Sequence, residues 1–237
     1  MRASASRAAL LDGCAFAFRE GVPWDETTGR SAKQGDEFHQ AIAPVVDASI
    51  ETLPFQPTTK WFRTRMEHAA AWVAEAYVPG WRAEVAYAYD PSTDTARVLG
   101  YNIGREYTKH GALAHEVCGS ADIEALDDTD AVRVWDWKTG RSVTDAVWPQ
   151  LSWLGLFAAR AHGRKRAIVV PLHVTDLGVN DVMSSTLSEN MLRETAERIK
   201  GRLSVVADAW PTPGSHCDAC YCPARAGCDL YQARKVA

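Results

Sequence analysis

Two aspartates and a lysine stand in strand-like runs near the middle of the chain. Asp122 ends the run Gly119-Ser-Ala-Asp122, and fourteen residues later Asp136 and Lys138 occur in Asp136-Trp-Lys138. Side chains alternate along a strand, so Asp136 and Lys138 point to the same face. Carboxylates brought together repel unless a cation separates them, and their oxygens suit Mg²⁺ or Mn²⁺. Such an ion activates bound water and stabilises charge on a phosphodiester, so the spacing indicates metal-assisted phosphodiester chemistry.

A hairpin is needed to bring Asp122 beside Asp136. Residues 117–126 and 131–137 are rich in β-branched and aromatic residues, and the segment 127–130, Asp-Asp-Thr-Asp, is typical of a turn. The pattern therefore predicts two antiparallel strands. Taken alone, an Asp-x-Lys tripeptide is more often a surface strand that carries an ion pair.

The combined motifs resemble the PD-(D/E)xK superfamily, in particular its RecB-like nuclease domain. The matching elements are Gly-x-x-Asp122, then Asp136-x-Lys138-Thr-Gly, then Gln150 on a following helix. The resemblance implies that Asp122 and Asp136 bind a divalent metal, that Lys138 is catalytic and that Gln150 supports the site. The family usually has a tyrosine one turn after the glutamine, where this chain has Trp153. An indole lacks the acceptor oxygen of a phenol, so the role of Trp153 stays open.

A histidine upstream extends the resemblance. Residues 31–34, Ser-Ala-Lys-Gln, resemble a capping box that opens a helix, and Gly35-Asp-Glu-Phe-His39 follows within that predicted helix. RecB-like nucleases carry Gly-x-x-x-His at this place, which implies that His39 is a further metal ligand. A histidine on a helix is otherwise more often a packed or solvent-facing residue.

The cysteines form a second group. Four of the six lie in residues 217–228, Cys14 lies near the start, and Cys118 precedes the first aspartate motif. Such cysteines can form disulfides, a zinc site or an iron–sulfur cluster. No signal peptide, apolar span or lipidation motif is visible, so we expect the chain to be cytoplasmic. Thiols stay reduced in the cytoplasm, which favours a metal site over disulfides. Zinc usually takes a pair of Cys-x2-Cys knuckles, and this chain has one.

Resemblance also suggests an identity for the cysteine site. Several RecB-like nucleases, including AddB-type proteins and CRISPR-associated exonucleases, hold a 4Fe-4S cluster with one N-terminal cysteine and a C-terminal Cys-x2-Cys-x5-Cys. The resemblance implies that a 4Fe-4S cluster joins both ends of this chain, with zinc as the alternative metal. Cys118 is expected to be a buried, inert thiol. The implied ligands are Cys14, Cys217, Cys220 and Cys228, with Cys222 as the alternate for Cys220.

The expected fold is α/β. The resemblance implies a restriction-endonuclease-like αβββαβ core with a mixed central sheet, added helices and a C-terminal metal-cluster segment. We expect one domain over residues 1–237, with a nuclease core of about 31–175 and terminal segments 1–20 and 211–230 joined by the cluster. Hydrophobic periodicity predicts helices over 31–50, 59–78, 149–162 and 192–206, and further strands over 83–89, 95–99 and 167–174.

Composition limits the function. With 237 residues, 46% hydrophobic residues and nine tryptophans, the chain can bury a substantial core. A net charge of −4 and a pI near 6.0 argue against a broadly basic nucleic-acid-binding protein, so any DNA groove must be locally basic. No Gly-x4-Gly-Lys-[Ser/Thr] loop is present, so a helicase or recombination partner would be a separate protein.

The resulting expectation is a metal-dependent DNA nuclease that acts as an exonuclease, preferring single strands or free ends, in repair, recombination or defence. The alternative is a non-catalytic module that binds nucleic acid or a partner through a nuclease-like scaffold with structural zinc. The sequence does not determine whether the substrate is DNA or RNA, or whether cleavage is exonucleolytic or endonucleolytic. The polarity, the biological pathway and the oligomeric state also stay open.

Overall fold

The computed structural model describes residues 3–24, 30–48, 59–126, 130–140, 142–181, 183–212, 214, 217 and 222–230. Cys220, the predicted turn residues 127–129 and the side chain of Ser31 lie outside this part of the chain.

A mixed sheet forms the centre of the protein. Within the described residues its order is β2-β1-β3-β4-β5-β6, and β7 pairs with β5. Strands β4 and β5 are parallel, and the other pairs are antiparallel. The predicted β3–β4 hairpin is therefore confirmed. The strands are β1 (Arg82–Asp90), β2 (Thr95–Tyr101), β3 (Val117–Leu126), β4 (Ala131–Lys138), β5 (Arg166–Thr175), β6 (Gly178–Asp181) and β7 (Ser185–Leu187).

Helices cover both faces of the sheet. Helices α2 and α3 pack on one face, while α1, α4 and α5 pack on the other. The predicted αβββαβ core with added helices is confirmed, because α4 crosses between the parallel strands β4 and β5. Among the described helices, none combines the length and apolar composition needed to cross a bilayer. The helices are α1 (Ala8–Gly13), α2 (Arg30–Ala48), α3 (Lys60–Ala76), α4 (Val147–Ala161) and α5 (Glu189–Ser204).

Strand β4 shows the alternation of side chains that the sequence pattern predicts. Val132 and Val134 join the core under α4, whereas Trp135 and Trp137 join the core under α2 and α3. This alternation is the one expected for an extended strand. It turns Asp136 towards α4, where only 2% of the residue is exposed.

A buried polar cluster helps to fix α4 on the sheet. The Glu124 carboxylate on β3 accepts hydrogen bonds from the Tyr87 hydroxyl on β1 and from His162 Nε2, at 2.9 Å, just beyond the end of α4. Burial and the neighbouring carboxylate raise the pKa of Tyr87 well above its usual value, so the phenol remains a donor. The cluster thereby anchors the helix whose first turn carries Gln150.

The glycine of the Gly-x-x-Asp motif has a steric role. A Cβ atom on Gly119 would lie 2.7 Å from Ala5 Cβ and 2.9 Å from Leu154 Cδ2. Ala5 and Leu154 are themselves buried, so they cannot move into solvent. We expect Gly119→Ala to lower the free energy of unfolding by about 1–3 kcal/mol, measured by urea denaturation.

Gly201 provides the matched control. It lies within α5, and a Cβ atom there would meet nothing within 4 Å. We expect Gly201→Ala to stabilise the protein by about 0.5–1 kcal/mol, because alanine restricts the unfolded chain and favours the helix. Similar stability changes for both variants would contradict the steric explanation.

Candidate active site

Three carboxylates form a row across neighbouring strands. The β1–β3 register pairs Ala83 with Ile123 and Val85 with Ala121, which sets Glu84 opposite Asp122. One position beyond the Ile123–Trp135 pair, the β3–β4 register sets Asp122 beside Asp136. Asp122 and Asp136 are 6% and 2% exposed, so this row carries charge that water does not screen well.

His39 completes a group of possible metal ligands. Its Nδ1 atom lies 2.7 Å from Asp122 Oδ1 and 3.8 Å from Glu84 Oε1. The ligand atoms of His39, Glu84 and Asp122 all lie within 4.8 Å of one another. One imidazole and two carboxylates are a suitable donor set for a divalent cation such as Mn²⁺ or Mg²⁺.

Asp136 is held next to this group by the residues that follow it. Gln150 Nε2 donates to Asp136 Oδ1 at 2.9 Å, and Lys138 Nζ donates to Gln150 Oε1 at 3.0 Å. Lys138 also forms an ion pair with the Asp136 carboxylate. Asp136, Lys138 and Gln150 therefore form a closed triangle.

Burial and like charge shape the protonation of the site. Burial, followed by the Asp122 carboxylate, raises the pKa of Glu84 to about 8. Burial disfavours the charged form of His39, but Asp122 and Glu84 outweigh it and raise the pKa of His39 to about 9. Burial also raises the pKa of Asp136, with Lys138 opposing. A bound dication would replace the protons that these groups hold in the metal-free chain.

Comparison with known proteins agrees with this geometry. The PD-(D/E)XK nuclease superfamily model matches residues 2–229. The chain belongs to the PD-(D/E)XK nuclease superfamily. A comparison with curated proteins found no match. Among solved structures, SSO0001 is similar with 15% identity and a TM-score of 0.44, over 85% of this chain and 71% of that chain.

Glu84 is a site residue that the sequence prediction missed. Its backbone has φ 47°, a left-handed conformation that is costly for a residue with a side chain. The Glu84 carbonyl accepts from Asn102 N at 3.0 Å. Asp47 on α2 accepts from Ala83 N at 2.9 Å and from Asn102 Nδ2 at 3.0 Å. These contacts hold a strained backbone that directs Glu84 to the centre.

The side chain of Trp153 is buried in the core, whereas the side chain of Gln150 lines the candidate site. Although Trp153 lies one turn further along α4, it is 1% exposed and belongs to the core between α4 and the sheet. Its ring packs near Phe157, with centroids 6.3 Å apart. In this superfamily member, position 153 therefore contributes packing.

A cavity of about 550 Å³ opens above the PD-(D/E)XK centre. Its floor contains the carboxylates, His39, Lys138 and Gln150, and its walls come from α2, the N-terminal segment and the connection between β2 and β3. Gly104, Arg105 and Tyr107 are the lining residues of that connection. The site is thus open to a substrate and has one wall that the sequence prediction did not assign.

Cysteines from both ends of the described chain lie in one hydrophobic core. Cys14, Cys222 and Cys228 are buried within the same core, and Cys217 is half-buried. Burial raises the pKa of the Cys222 thiol, and a backbone hydrogen bond from Ala224 opposes this effect. Among described residues, no three cysteine sulfurs lie within 4.8 Å of one another.

Cys118 lies on β3 and is not one of the cysteines implied as cluster ligands. It is 8% exposed, and burial, followed by Glu116, raises its pKa to about 11. A thiol with a raised pKa is a poor nucleophile, which is consistent with the inert role expected for Cys118.

Proposed function

We propose that this chain is a metal-dependent deoxyribonuclease that hydrolyses phosphodiester bonds with Mg²⁺ or Mn²⁺. The observation that carries the proposal is the His39–Glu84–Asp122 group beside the Asp136–Lys138–Gln150 triangle, in a chain of a nuclease superfamily. The metal ligands would be His39, Asp122 and Asp136, as the motifs predict, with Glu84 added from the structure.

Each residue has a role that follows from its position. A bound divalent ion would supply a Lewis acid and lower the pKa of a water ligand. Lys138 lines the cavity, and its ammonium group is held by Asp136 and Gln150. It is therefore placed to orient an attacking water and to offset anionic charge in the transition state. Gln150 fixes the lysine and the carboxylate relative to each other.

We favour exonuclease action on single strands or free ends, in a RecB-like manner and in repair, recombination or defence. The support is the resemblance of the motifs to RecB-like nucleases. A helicase or recombination protein would be a separate partner, and a cytoplasmic location and a single domain are parts of the same proposal. The competing proposal, a non-catalytic binding module, would not require Asp122, Asp136, Lys138 and Gln150 to be present together.

We also propose a 4Fe-4S cluster at the cysteines. The support is the resemblance, together with the burial of Cys14, Cys222 and Cys228 in one hydrophobic core. Zinc is the alternative. With Zn–S bonds of about 2.3 Å, a zinc ion would hold its sulfur ligands about 4 Å apart. Among the described residues, no three cysteine sulfurs lie within 4.8 Å of one another. The burial of Cys222 in the same core as Cys14 and Cys228 supports it as the fourth ligand in place of Cys220.

Nuclease activity can be tested with end-labelled DNA. We expect the protein to degrade linear single-stranded DNA with Mg²⁺ or Mn²⁺, to lose activity with EDTA and to spare circular single-stranded DNA. Lys138→Ala should reduce cleavage by at least about a hundredfold, because the transition state loses a positioned cation. The 5′ and 3′ labels report polarity. Equal degradation by wild type and Lys138→Ala would show that the cleavage comes from a contaminant or another site.

A further inference from the structure

A cation on the β2–β3 connection faces the proposed centre across the cavity. Arg105 Nη2 lies 2.9 Å from Asp36 Oδ1, and both residues line the cavity. Asp36 lies on α2, one turn before His39. The side chains of Arg105 and Asp36 are 69% and 45% exposed, so water screens this ion pair. An exposed pair of this kind contributes about 0–1 kcal/mol, and a ligand can replace it at little cost.

The charges of the cavity lining make Arg105 distinctive. Among its described residues, four carboxylates line the cavity, and Lys138 is engaged by Asp136 and Gln150. Apart from Lys138 and His39 in the centre, Arg105 is the cationic side chain of that lining. A nucleic-acid strand brings one negative charge per nucleotide into this acidic cavity. Arg105 can offer it a planar, two-pronged donor group that matches a phosphate.

The segment that carries Arg105 is held at several points. Asn102 N donates to the Glu84 carbonyl, and the Tyr107 hydroxyl lies 3.3 Å from Ser120 Oγ. Further along the connection, the Gly111 carbonyl accepts a hydrogen bond from Arg97 at 2.7 Å, and Glu116 forms an ion pair with Arg97. The backbone beside Arg105 is thereby fixed relative to Glu84, while the guanidinium remains exposed. Such an arrangement lowers the cost of binding a ligand.

We propose that Arg105 binds a phosphate of the nucleic-acid strand next to the scissile one, and that Asp36 competes with this phosphate for the guanidinium. The proposal rests on the nucleic-acid substrate of the proposed function. Substrate entry exchanges the Asp36 carboxylate for a phosphate, so the two residues affect substrate affinity in opposite directions. Arg105 is a substrate-binding residue, and Asp36 acts through it.

Fluorescence anisotropy with a labelled single-stranded oligonucleotide tests the proposal. The assay uses the Lys138→Ala protein with Mn²⁺, so that the oligonucleotide stays intact. We expect Arg105→Ala to raise Kd about tenfold and to reduce the salt slope by about 0.7, the value for one phosphate contact on a single strand. Asp36→Asn should lower Kd severalfold. Arg63→Ala, which removes an exposed arginine of α3 outside the cavity lining, should leave Kd unchanged.

A double variant separates competition from general electrostatics. If Asp36 acts through Arg105, Asp36→Asn will have no effect on Kd in the Arg105→Ala background. An effect that persists there, or an Arg105→Ala Kd equal to that of Arg63→Ala, would overturn the proposal. In the Lys138-containing protein, Arg105→Ala should raise KM with little change in kcat.

The same measurements distinguish this proposal from the function on which it rests. Failure of the wild type to cleave DNA with Mn²⁺ would overturn both. Cleavage by the wild type with unchanged Kd and KM in Arg105→Ala would overturn the phosphate contact alone.

Discussion

Asp122→Asn is expected to reduce hydrolysis of single-stranded DNA by at least about a thousandfold and to weaken Mn²⁺ binding by tenfold or more. Asp122 lies at the middle of the site, 2.7 Å from His39 Nδ1 and opposite Glu84 in the sheet. The substitution removes one negative charge from the candidate ligand group. Initial rates on end-labelled DNA and calorimetric titration with Mn²⁺ measure the two effects.

The same substitution should spare the fold. Asp122 Oδ2 accepts from Trp137 N at 2.6 Å, and the amide oxygen of an asparagine can still accept this hydrogen bond. Reduced repulsion with Glu84 and Asp136 offsets the loss of the charged contact with His39, so the metal-free variant should unfold at about the same temperature as the wild type. Asp130→Asn, an identical change at an exposed position before β4, should alter neither activity nor Mn²⁺ binding. Full activity in Asp122→Asn would remove the basis for the proposed centre.

The parts of the site predicted from sequence depend on local pattern. Strand alternation fixes Asp136 and Lys138 on one face, and the antiparallel pairing of β3 with β4 brings Asp122 to the same end of the sheet. Gln150 is assigned by the family resemblance, and its position is explained by α4, the next helix after β4, which returns over the sheet to the parallel strand β5. In these cases a short stretch of chain already determines which side chains meet.

The missed residues depend on non-local pairing. Glu84 reaches the site because β1 pairs with β3, although β2 separates these two strands in the sequence. Its backbone also adopts a positive φ that no sequence pattern predicts. An acidic residue inside the otherwise apolar run Ala83–Val85 is the signal that could have drawn attention to it. Arg105 lies in an irregular connection, whose course over the cavity depends on its contacts with Glu84, Ser120 and Arg97.

Spacing alone is also ambiguous on a helix and within a cysteine motif. Gln150 and Trp153 lie three residues apart, yet one meets the Asp136 carboxylate and the other is buried in the core. Between Cys220 and Cys222, the Cys-x2-Cys-x5-Cys pattern can be read in more than one way. Cys222 is buried in the same core as Cys14 and Cys228, a placement that favours it over Cys220 in the proposal and that no spacing in the sequence reveals.

Cysteine substitutions should separate the proposed ligands from the other thiols. We expect Cys14→Ser and Cys222→Ser to lose bound iron and visible absorbance after anaerobic purification, whereas Cys220→Ser and Cys118→Ser should retain both. A cluster that joins Cys14 to Cys222 closes a loop of roughly two hundred residues, so its loss should cost several kcal/mol of stability. This corresponds to a fall in the unfolding temperature of about 5–15 °C.

The pattern of losses then identifies both the metal and its ligands. Iron retained in Cys222→Ser but lost in Cys220→Ser would reverse the ligand assignment and restore the Cys-x2-Cys spacing of the resemblance. A colourless wild type with one equivalent of zinc would overturn the cluster itself. Because Cys118 is a buried cysteine whose thiol stays protonated, an effect of Cys118→Ser on iron content would show that the losses reflect a disturbed core and not a missing ligand.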